Sequence, residues 1–86
     1  KPPNIYYKVS SGNPRLVLTD GNNNKFYVVL SFIFWGVGTW NWSDFTPYTP
    51  GQVPTDQLDI LKIEFQVDAN SASKSSVLQV YWVGVA

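Results

Sequence analysis

Chemistry needs side chains that can carry it, and two of the commonest are missing. The 86-residue chain contains no cysteine and no histidine. Nucleophilic dyads and triads built on Cys–His or Ser–His–Asp are therefore impossible. Thiolate and imidazole metal sites go with them, leaving oxygen ligands alone. The carboxylates that could act as an acid–base pair, as in glycosidases, are Asp44, Asp56, Asp59, Glu64 and Asp68. No spacing selects two of them, and no glycine-rich phosphate loop is present. The expectation is a protein that is not an enzyme. Asp20, Asn22 and Asn24 alternate oxygen ligands as a calcium loop does. They lack the later glycine and glutamate of an EF-hand, and hairpin turns favour the same residue types. A turn is the preferred reading, Ca2+ is the alternative, and no cofactor is expected.

The residues best equipped for binding are aromatic. Trp35, Trp40, Trp42, Phe45 and Tyr48 fall in one short stretch beside Asn41 and Asp44. A pyranose ring offers an axial C–H face to a π surface, while amides and carboxylates hydrogen-bond its hydroxyls. Trp40, Trp42 and Tyr48 as stacking rings, with Asn41 and Asp44 orienting hydroxyls, form a candidate carbohydrate site. The competing reading packs Trp40 and Trp42 into the core or a subunit contact, where aromatics are equally at home. Asn41–Trp42–Ser43 also matches the N-glycosylation acceptor pattern, and a glycan there would conflict with a sugar site on the same residues.

Composition narrows the class. Six basic and six acidic side chains cancel, scattered along the chain. A basic stripe for nucleic acid is absent. The apolar run 26–37 is shorter than the roughly 20 residues a spanning helix needs, so no membrane span is expected. A neutral surface rich in Trp, Tyr, Asn, Ser and Thr suits neutral polar ligands or other proteins. A chain of this size buries only about 60–65% of its unfolded surface. Self-association or membership of a larger polypeptide is therefore expected to supplement stability. The chain starts at Lys1 and contains no methionine, as a processed mature form or an excerpt would, without a signal peptide. An extracellular or cell-surface location is expected.

The elements that must position these residues are strands. Pro2 and Pro3 open an extended lead-in. Ile5–Val9 alternates, with Ile5, Tyr7 and Val9 on one face and Tyr6 and Lys8 on the other. Ser10–Pro14 reads as a turn, and Arg15–Thr19 as a strand with Leu16 and Leu18 inward. Asp20–Asn24 is a hairpin signal. Lys25–Trp35 reads as one central strand buried on both faces, bent afterwards at Gly36 and Gly38. Ser43–Thr55 reads as a long loop, and Asp56–Asp59 as a single helical turn. Ile60–Val67 alternates with Leu61, Ile63, Phe65 and Val67 inward. Asp68–Ser76 is a polar turn, and Val77–Val85 a strand apolar on both faces. The whole predicts a single all-β domain over residues 1–86, an antiparallel sandwich.

From Arg15 to Val85 the order of features resembles jelly-roll carbohydrate-binding modules of the galactose-binding-like type. The matching pieces are Arg15–Asn24 (RLVLTDGNNN), Trp40–Phe45 (WNWSDF), Leu58–Val67 (LDILKIEFQV) and Leu78–Val85 (LQVYWVGV). The resemblance implies a jelly-roll-like sandwich and a non-catalytic, extracellular module that binds a polysaccharide or glycan. Two departures stand out. Only Ile5–Val9 precedes the matching region, where such modules carry further N-terminal strands. Tyr81 and Trp82 occupy the final strand where the family often has an acidic residue, which counts against a family-type calcium. The first departure motivates an alternative: a structural subunit whose segment 1–9 completes a neighbour's sandwich, building an extracellular filament, sheath or shell.

Overall fold

A computed structural model describes residues 2–31, 33–52, 60–66 and 76–84. Among these residues, seven strands form two antiparallel sheets, the all-β sandwich that the alternating patterns predict. They are β1 (Asn4–Ser11), β2 (Arg15–Asp20), β3 (Lys25–Val29), β4 (Ile33–Gly38), β5 (Thr46–Pro47), β6 (Ile60–Gln66) and β7 (Val77–Gly84). One sheet has the order β4-β1-β7, the other β5-β3-β2-β6.

The core lies between the sheets. Ile5, Tyr7 and Val9 of β1 are buried as their spacing requires, against Leu16 and Leu18 of β2, Phe26 of β3, and Leu30. Trp42 and Phe45 close it from the loop side. Burial raises the Tyr7 hydroxyl above its ordinary pKa of 10.0, because the phenolate would lose its hydration.

The β2–β3 hairpin explains why Asp20–Asn24 turns. Asp20 is buried, and its Oδ1 accepts the backbone N–H groups of Asn22 and Asn24 at 2.9 and 2.8 Å. Its Oδ2 accepts the Asn24 side-chain amide at 3.3 Å. Asn23 takes a φ of 64°, a left-handed conformation that asparagine tolerates. The carboxylate is thus directed at amide donors inside the turn.

Three features differ from the sequence expectations. The central strand is not continuous. It breaks after Val29, and the chain crosses from the four-stranded sheet to the three-stranded one before resuming at Ile33. Val29, Phe34 and Trp35, expected under cover, are exposed. A sandwich this small has only one inner layer to fill; Phe26 and Leu30 enter it from this run, and the rest of the run has no second layer to face.

β7 also differs. Among the described residues it is an edge strand, and its apolar residues Val77, Val80, Tyr81, Trp82 and Val83 are exposed. Val17 is the third difference, lying on the face of β2 opposite Leu16 and Leu18 yet with 0% exposure. Its neighbours lean across it: the Arg15 guanidinium lies 4.0 Å from the Tyr27 ring centroid, and Lys25 reaches Glu64 at 4.0 Å over the strand between them. Long side chains cover apolar surface with their stems in this way.

Within β6, Ile63 and Phe65 pair with Leu18 and Leu16, which sets them on the inner face, yet both are exposed at the sheet edge. The expectations for Asp56–Asp59, Val67 and residues 68–75 lie outside the described residues. No helix among the described residues is long and apolar enough to cross a membrane.

Candidate aromatic binding face on the three-stranded sheet

The outer face of β4-β1-β7 is assembled around Tyr6. Alternation along β1 sends Ile5, Tyr7 and Val9 into the core and leaves Asn4, Tyr6 and Lys8 on the other side. Both neighbouring strands are irregular at this level. Against β4, Tyr7 pairs with Gly36 and Val9 with Ile33, so Phe34 and Trp35 together face the single residue Lys8. Against β7, Tyr6 pairs with Trp82 and Tyr7 with Val80, so Tyr81 is an extra residue. Each extra residue makes a β-bulge, which bends the strand and re-aims a side chain.

The bulges flank neighbouring positions of the central strand, between Tyr7 and Val9 on the β4 side and between Tyr6 and Tyr7 on the β7 side, and each presents an aromatic ring. Trp35 carries a φ of 27°, a conformation that bulky residues adopt only under constraint. Its ring meets Tyr6 edge-on, with centroids 5.6 Å apart and planes at 74°. Tyr81 meets Tyr6 from the other side at 5.5 Å and 67°. Trp82 adds a third edge contact to Tyr6, at 6.3 Å.

Tyr6, Trp35 and Tyr81 line an open hollow of about 320 Å³. That lies at the small end of the range for ligand sites. Tyr81 is 75% exposed and Phe34 77%. Lys8 lies 4.7 Å above the Phe34 ring centroid and pairs across the ladder with Gln79. Asn4, Lys8 and Gln79 therefore border an otherwise aromatic surface.

The residues singled out in the loop are placed differently. Trp42 is 7% exposed and belongs to the core, where it meets Phe45 at 6.1 Å. Trp40 is half-buried, stacked on Tyr7 with planes at 24° and edge-on to Phe45. Gly38 makes that stack attainable, since a Cβ there would collide with the Trp40 ring and stand 2.8 Å from Tyr7. Asn41 and Asp44 are exposed, but the Asn41 N–H donates to the Asp44 carboxylate at 2.8 Å, closing the 3-10 turn Trp42–Asp44. Tyr48 lies on the outer side of the other sheet. It meets Tyr27 edge-on at 5.6 Å and donates its hydroxyl to Gln66 Oε1 at 2.7 Å. Its ring is thus on a different face from the inward-turned Trp40 and Trp42.

Among the described carboxylates, Glu64 is ion-paired with Lys62 at 3.7 Å as well as with Lys25. No group of three or more potential metal-ligating side chains occurs among the described residues.

Sequence reasoning placed Tyr6 on the outer face but did not join it to Trp35 and Tyr81. The usable signal was the adjacent aromatic pairs Phe34–Trp35 and Tyr81–Trp82. In a regular strand such neighbours face opposite sides, whereas a bulge brings both to one side. Comparisons with protein-family models, with curated proteins and with solved structures each returned no match.

Proposed function

We propose that this chain is a non-catalytic binding module of the cell exterior that takes a neutral saccharide on the outer face of its three-stranded sheet. The observation that carries the reading is the hollow framed by Tyr6, Trp35 and Tyr81, with a bulge in the strand on either side of β1. A pyranose ring would set its C–H face against the exposed rings of Tyr81 and Trp35. Its hydroxyls would meet the phenol groups of the two tyrosines, with Asn4, Lys8 and Gln79 within the same face. The resemblance to galactose-binding-like modules supports the same ligand class. The proposed site lies on a sheet face, and not on the Trp40–Tyr48 loop.

The test is calorimetric titration of the whole chain with hexasaccharides of β-1,4-glucose, β-1,4-mannose and β-1,4-N-acetylglucosamine. At least one should give saturable binding that Trp35→Ala or Tyr81→Ala weakens by about 3–10-fold or more, the value of one lost aromatic contact. Absence of binding to all three, or affinity unchanged in both variants, would contradict the proposal.

A further inference from the structure

The strand that supplies Tyr6 has an unusual position in the fold. β1 is the first strand of the chain, yet it is the middle strand of its sheet, hydrogen-bonded to β4 on one side and β7 on the other. The four-stranded sheet is complete without it. Beyond residue 14 the chain is therefore a sandwich with a slot one strand wide between β4 and β7. The slot reads alternate residues: Ile5 and Val9 have no exposed surface, Tyr7 has 4%, and Pro2 is also buried ahead of them. Gly12, Asn13 and Pro14 are the whole connection from β1 to β2.

We infer that β1 is exchanged between copies of this chain, each copy filling the slot of a neighbour. Every contact β1 makes in its own subunit is reproduced in the neighbour's slot, so only the hinge conformation and the association terms differ between the two forms. The hinge favours opening. Asn13 precedes a proline, which disfavours helical or tightly turned backbone and biases it to an extended conformation. Pro14 itself has a φ compatible with an extended chain. Three extended residues reach about 10 Å, enough to deliver a strand across a subunit boundary.

A second observation points to the same occupant. Ile63 and Phe65 on β6 and Val80 and Val83 on β7 are exposed, on strands that end the two sheets among the described residues. Exposed apolar side chains such as these, on a chain with no net charge, are what a neighbouring copy can cover. Exchange brings neighbouring copies close enough to cover it. In the exchanged form Tyr6 is donated by one copy while Trp35 and Tyr81 come from the next, so the aromatic hollow is shared across the junction. The exchange does not depend on what that hollow binds.

The experiment uses the full chain carrying Lys8→Cys and Gln79→Cys, outward-facing partners across the β1–β7 ladder. Oxidation of concentrated protein, followed by denaturing electrophoresis without reductant, should give covalent dimers and longer oligomers, because each thiol at position 8 meets the thiol at position 79 of another copy. A single Lys8→Cys variant reports random collisions and should stop at dimers in low yield. Light scattering of the native chain should show masses that are multiples of one subunit. Inserting four Gly/Ser residues after Gly12, which lets β1 fold back freely, should shift the population to monomer. A double variant that yields only the internally linked monomer, with a native chain that scatters as a monomer at every concentration, overturns the inference. Saccharide titration reads none of these quantities, so the two proposals fail separately.

Discussion

At the scale of single residues, the aromatic side chains differ in how they are packed. Trp42 is packed among Phe45 and the strand side chains of the core. Trp42→Ala should cost about 3–5 kcal/mol in urea unfolding, as expected for emptying an aromatic site. Tyr81, 75% exposed, has no comparable packing, so Tyr81→Ala should leave the unfolding midpoint nearly unchanged while weakening the ligand.

Asp20 belongs with Trp42. Its carboxylate accepts three amide donors in the hairpin, so Asp20→Ala should cost about 2 kcal/mol. Tyr7 gives a pH signature. Its raised pKa means the folded state keeps the proton longer than the unfolded chain does. Its contribution is fully present below the unfolded pKa near 10.0 and is lost as pH rises through the folded value. Denaturant midpoints measured from neutral to strongly alkaline pH should fall above about pH 10, and Tyr7→Phe should flatten that fall.

At the scale of elements, the bulges are what bring Trp35 and Tyr81 against Tyr6 on one face. Tyr81 is the extra residue between the pairs Tyr6–Trp82 and Tyr7–Val80. Deleting Tyr81 should restore an unbroken ladder without flipping the residues on either side. Such a variant should unfold at or above the denaturant concentration of the parent and lose saccharide binding. Gly38 is a matching test on the core side. Gly38→Ala drives a methyl into Trp40 and Tyr7, and overpacking of this kind should cost about 1–3 kcal/mol.

The same elements show what the sequence could and could not reveal. The inner faces of β1 and β2 are legible because Ile5, Tyr7 and Val9, and Leu16 and Leu18, recur at every second position. The hairpin at Asp20–Asn24 is legible because its residue types leave few alternatives to a turn. The break in Lys25–Trp35 is hidden because both faces of that run are apolar. A change of sheet, and of inward parity, then leaves no trace in the pattern. The Val17 cover is hidden too, since it comes from Arg15, Tyr27, Lys25 and Glu64, whose leaning depends on register between three strands.

At the scale of the whole molecule, the small inner layer governs everything outside it. One core between two sheets is filled by a dozen or so side chains, and the remaining aromatic and β-branched residues must face outward. That excess is why Phe34, Trp35, Tyr81 and Trp82 form a surface. The loop tryptophans, which looked like the binding residues, instead take part in closing that core, Trp42 buried against Phe45 and Trp40 stacked on Tyr7. The proposed function then rests on the outer face of β4-β1-β7 being where the ligand sits. Backbone amide chemical-shift mapping of the full chain, during titration with the hexasaccharide that calorimetry selects, tests this without intermediaries. The largest changes should fall at Tyr6, Trp35, Tyr81 and Trp82, with Trp40 to Tyr48 unmoved. Changes centred on Trp40, Asn41 and Asp44 instead would contradict the assignment of the binding face.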